Sequence, residues 1–208
     1  MVRLPIAVLA VWLVAWPLGA PSSVSPVEIP TDLSSDQREE LERGQIVVLE
    51  AAVAHGAGHA AAAVRIRAPD DQVWAVMTDC ARAPEFVPRL RSCRVVEAGG
   101  DRRVVEHRVQ ILRVLPALTY RFVEHLEPRK RIDFRRVSGA LREMEGSWSL
   151  EDDGGRGTLV RYTVALDPGF AVPGWLVRRL LRHDLAELLA ALRDRVERGT
   201  ATHGDGRR

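Results

Sequence analysis

The stretches GTLVRYTVALDPG (157–169) and PGWLVRRLLRHDLAELLAALRDRVE (173–197) decide the fold. In the first, Val160, Tyr162 and Val164 alternate with Arg161 and Thr163, the period of a strand with one buried face. In the second, Leu176, Leu180, Leu181, Leu185, Leu188, Leu189, Leu192 and Val196 fall on one wide stripe. Arg178, Arg179, Arg182 and Arg193 lie off that stripe. The spacing predicts a long helix from about Trp175 to Glu197, entered through a loop bracketed by Pro168-Gly169 and Pro173-Gly174. The polar tail, 199–208, is expected to be disordered.

Period-two patterning continues back along the chain. Met144, Gly146, Trp148 and Leu150 share one face of a strand, with Glu145, Ser147 and Ser149 on the other. Strands are expected over 92–98, 103–113, 117–126, 130–137, 142–151 and 157–166. Gly99-Gly100, Pro128, Ser138-Gly139 and Asp153-Gly154-Gly155 mark the turns between them. Upstream, 45–53 and 59–67 read as a hairpin turned at His55–Gly58. Pro69 opens a short helix carrying Val73, Trp74 and Met77, and a second short helix is expected over 80–87. The order predicts an α+β fold in which one long helix covers the apolar face of a curved antiparallel sheet. A curved sheet around one helix leaves room for a ligand.

The N-terminus reads differently. Arg3 is the only charge before Glu28, and LPIAVLAVWLVAWPLGA (4–20) is an apolar run followed by small residues. Residues 1–23 therefore read as a secretory signal peptide, with an uncleaved N-terminal anchor as the alternative. The domain organisation expected is a linker and N-terminal helix over 24–44, a ligand-binding domain over 45–198, and the tail. Within 24–44, Ser34 and Gln37 form a capping box and Gly44 ends the helix. Export, to the periplasm or outside the cell, places the two cysteines in an oxidising compartment. Cys80 and Cys93 are expected to pair on that ground and on their even number, with two buried thiols as the alternative. The formal net charge of +2 does not argue for nucleic acid.

Three segments resemble the START-like (SRPBCC, helix-grip) superfamily, in its polyketide cyclase/dehydrase and coenzyme Q-binding branch. They are APDDQVWAVMTD (68–79), EFVPRLRSCRVVE (85–97), and 157–169 with 173–197. The resemblance covers about 45–197 and implies the helix-grip fold. It also implies a cavity for a hydrophobic molecule such as a lipid, a quinone or a polyketide-like ring system. No universal catalytic residue is carried over with it, and none of the three motifs is catalytic.

The residues themselves offer little chemistry. There is no HExxH, GxSxG, GxGxxG or paired CxxC, and no metal site or cofactor is expected. His55, His59, His125, His183 and His203 read as surface or tail residues. His107 shares a strand face with Val105 and Val109 and is expected to point inward, as a cavity-lining residue or as a general base. Tyr120, Phe122, Phe134, Trp148 and Tyr162 are expected to line the cavity, with Trp74, Phe86 and Phe170 near its mouth and Trp175 and Leu180 in its roof. Trp175 beside arginines suits a membrane surface, or else it staples the helix to the sheet. The function expected is a monomeric, exported, non-catalytic carrier of a hydrophobic small molecule. The alternatives are a cyclase/dehydratase using His107, Tyr120 and Tyr162, and an envelope interaction module without ligand.

Overall fold

The computed structural model describes residues 33–54, 57–110, 116–169 and 174–204. The segment expected to be a signal peptide, most of the expected linker, His55 and Phe170 lie outside the described residues. Among the described residues, eight antiparallel strands form one sheet: β1 (Val47–Ala54), β2 (Ala57–Ile66), β3 (Leu90–Gly99), β4 (Arg102–Val109), β5 (Leu118–Glu127), β6 (Arg131–Gly139), β7 (Glu143–Asp152) and β8 (Thr158–Asp167). Their spatial order is β1-β2-β8-β7-β6-β5-β4-β3, so the N-terminal hairpin joins the last strand. Helices α1 (Ser35–Glu42), α2 (Asp70–Thr78) and α3 (Gly174–Gly204) complete the fold. This is the helix-grip α+β arrangement that the strand–helix stretch predicts.

The local signals act as expected at α1. The Gln37 amide donates to Ser34 Oγ at 3.2 Å, and the Ser34 amide donates to Gln37 Oε1 at 2.9 Å. Gly44, at φ 76°, ends the helix while the Gln45 amide reaches back to the Glu40 carbonyl at 2.9 Å. Leu41 seats α1 in a small cluster with Leu33, Val47 and Ala63.

Two expectations need correction. The helix expected over 80–87 is a single 3₁₀ turn, Ala83–Glu85. Pro84 and Pro88 stand four residues apart, and a proline ring clashes with the carbonyl four residues before it. The tail expected to be disordered from Gly199 is helical as far as Gly204. One glycine costs a helix only about 1 kcal/mol relative to alanine, and no proline intervenes there. The expected 103–113 strand is described as far as Val109, and 111–115 lie outside the described residues.

The core lies between α3 and one face of the sheet. Leu181, Leu185, Leu189, Leu192 and Val196 of α3 are buried together with Ala60, Ala62, Val64 and Ile66 of β2. Alanine side chains on β2 let the helix settle closely there. Among the described residues α3 lies against β1, β2 and α2, and makes no comparable approach to β4, β5, β6 or β7. The inner face of β4–β8, on the same side as α3, carries the candidate site.

Candidate ligand cavity

Strand register puts the large inner-face side chains in one row. His107 of β4 pairs with Tyr120 of β5, Phe134 of β6 with Gly146 of β7, and Trp148 of β7 with Tyr162 of β8. Their rings touch in sequence. His107 meets Phe122 edge-on at 4.7 Å between centroids and Tyr120 at 5.8 Å. Phe122 meets Phe134 at 6.2 Å, Phe134 stacks on Tyr162 at 5.9 Å, and Tyr162 stacks on Trp148 at 4.0 Å.

Gly146 makes the middle of this row fit. A Cβ there would stand 2.0 Å from the Thr163 carbonyl oxygen and 2.6 Å from Cζ of Phe134. The Phe134 ring therefore lies over a bare backbone and reaches Tyr162 across β7. Phe122 and Phe134 are buried, whereas His107, Tyr120, Trp148 and Tyr162 are only partly buried although they face the helix side. Partial exposure on an inward face is what an incompletely filled interior produces.

The row is electrically quiet. Burial, reinforced by the charge on Arg103, lowers the His107 pKa to about 4, so the imidazole is neutral near pH 7. Burial raises the Tyr120 hydroxyl to about 12 and also raises Tyr162, which Tyr120 reinforces. Neither tyrosine hydroxyl has a hydrogen-bond partner among the described residues, so both remain able to bind a ligand oxygen.

The inner face also holds charge that the sequence reading passed over. Arg103 donates through Nε to Glu124 and through Nη1 to the Thr78 carbonyl at the end of α2. Burial raises the Glu124 pKa against the opposing pull of Arg103. Arg136 stands opposite Phe122 in register. Alternation carried this signal: Arg103 shares the phase of His107, Glu124 that of Phe122, and Arg136 that of Phe134.

The remaining expected site residues divide. Trp74 and Phe86 are partly buried and pack against the main core. Trp175 is 69% exposed at the start of α3, apart from the ring row. Leu180 is in α3, but its side chain lies outside the described residues, as does Phe170. Cys80 and Cys93 form a disulfide with Cα atoms 5.3 Å apart. No group of three or more His, Cys, Asp or Glu positioned for a metal occurs among the described residues.

Residues 66–193, more than half of the chain, match the family described as polyketide cyclase/dehydrase and lipid transport. The chain belongs to this polyketide cyclase/dehydrase and lipid transport family. Solved structures agree on the fold. The Zhui aromatase/cyclase of a Streptomyces species superposes with a TM-score of 0.59 at 20% identity, covering 68% of this chain and 94% of that one. A START superfamily protein from Mycobacterium smegmatis gives 0.60 at 20% identity, with 67% and 97% covered. A STAR-related lipid transfer protein from Xanthomonas axonopodis gives 0.59 at 16% identity, with 73% and 98% covered. No curated protein matches the chain. Family membership fits hydrophobic ligand binding or cyclase activity.

Proposed function

We propose that this chain is an exported carrier that holds a hydrophobic small molecule between α3 and the inner face of β4–β8. One observation carries the reading: a continuous row of rings, with His107, Tyr120, Trp148 and Tyr162 only partly buried, faces a helix that among the described residues lies closest to β1, β2 and α2. The relatives' names support it, since one is a lipid transfer protein. The disulfide supports export, because such bonds persist in oxidising compartments. Contact with a membrane belongs to the same proposal: Trp175 is exposed beside the exposed Arg178 and Arg179.

The second reading is a cyclase or dehydratase. The pairing of His107 with Tyr120 on adjacent strands would supply its base and proton donor, with the imidazole, at a pKa of about 4, a weak base at neutral pH. Native mass spectrometry of protein purified from its own cells, followed by organic extraction, tests the carrier. A co-purifying apolar molecule released on denaturation is the expected result. An empty protein that also fails to take up an added apolar fluorophore would overturn it and leave the interaction module.

A further inference from the structure

Arg136 is a cation on the inner face without an anion. It follows Ile132 and Phe134 in the inward phase of β6 and pairs in register with Phe122. It sits where β6 has parted from β7, whose last paired position is Arg135 with Glu145. This is the end of the sheet at which β8 finishes and the chain turns toward α3. Nη2 donates to the Gly139 carbonyl at 3.0 Å. Nε is sealed from solvent and has no partner, and no carboxylate pairs with the guanidinium among the described residues.

Nε of Arg65 and of Arg161 is likewise without a hydrogen-bond partner, but those guanidinium groups pair with Asp153 and Glu151. Arg103 has Glu124 on Nε and the Thr78 carbonyl on Nη1. A buried charged donor left without an acceptor is costly, and native proteins normally supply one. A guanidinium fork matches the two oxygens of a carboxylate or phosphate.

We propose that Arg136 receives the acidic group of the ligand, so that the molecule carried is an apolar organic acid with its hydrocarbon or ring body along the aromatic row. This deepens the carrier reading and rests on it. A carboxylic acid and a phosphate monoester share the chemistry required. The aromatic row takes the body of the molecule, and Arg136 selects its head.

Fluorescence titration of the full mature chain with 1-pyrenebutanoate, its methyl ester and a lysophosphatidate tests this. The acid is expected to bind at least tenfold tighter than the ester. In Arg136→Gln that preference disappears while ester affinity stays within about twofold, because the ring contacts are untouched. Raising the salt concentration weakens binding of the acid alone, a readout that does not need the variant to fold. Comparing lysophosphatidate with pyrenebutanoate identifies which acid class fits better. Equal affinity of the wild type for acid and ester, or a preference retained in the variant, overturns the role of Arg136 and leaves the cavity standing. If none of the probes binds, the carrier reading fails and this one with it.

Discussion

His107 shows how one side chain ties stability to the site. Its ring touches Tyr120 and Phe122, and burial near Arg103 holds it neutral, with a pKa of about 4. In the unfolded chain an imidazole titrates near 6.5. Between those two values the unfolded state binds a proton that the folded state refuses, so stability rises with pH across that window and is lost as pH falls from about 6.5 toward 4. The full shift corresponds to about 3 kcal/mol, and the loss observed is smaller to the degree that water reaches the ring. Urea unfolding at a series of pH values checks this. His107→Gln is expected to flatten the profile between pH 6.5 and 4, and an unchanged profile would assign the acid sensitivity elsewhere. The same neutrality matters for function: a charged imidazole at the β4 end of the ring row would oppose the apolar body of a ligand.

The connection from α2 to β3 is the element whose ties are most specific. The Cys80–Cys93 disulfide joins its start to β3. Pro88 and Arg89 form the middle of a turn closed by the Leu90 amide on the Val87 carbonyl at 3.3 Å, and Arg89 takes φ 62°, where such turns favour glycine or asparagine. Its guanidinium reaches Asp184 and Glu187 of α3. Arg195 of α3 reaches Glu85 in the same way, at 3.0 Å. These partly exposed pairs contribute little each, typically under about 1 kcal/mol, so the disulfide dominates. Replacing both cysteines by serine is expected to cost about 3 kcal/mol, the chain-entropy value for a loop of this length. Calorimetry on the variant and on the oxidised protein measures it, and a difference below about 1 kcal/mol would show that the connection is held by packing alone. Half of this element was legible in the sequence. The pairing followed from compartment and number. The irregular path did not, because two prolines and a positive φ leave no periodicity to read.

At the scale of the molecule, the helix-grip order was readable because each strand carries its own alternation. The spatial order was less so: β2 pairs with β8 across most of the chain, and no local signal encodes that. The candidate cavity wall was readable in part. Aromatic residues announce themselves, whereas Gly146 and the inward charges matter only once the register is known. Charge placement likewise escapes a net value of +2. Arg178, Arg179 and Arg182 are exposed on α3 near the exposed Trp175 and have no ion-pair partner among the described residues. Each such arginine near an anionic bilayer contributes about 1 kcal/mol, and a tryptophan ring favours the headgroup region. The chain lacking residues 1–23 is therefore expected to float with phosphatidylglycerol vesicles and not with phosphatidylcholine vesicles. Binding should fall as salt approaches about 0.5 M, since the Debye length then drops to a few ångströms. Trp175→Ala combined with Arg178→Ala and Arg179→Ala should abolish flotation without altering probe uptake by the cavity, because these side chains stand apart from the ring row. Flotation that persists in the triple variant would move the contact to another face, and a carrier that never floats would have to exchange its ligand through solution.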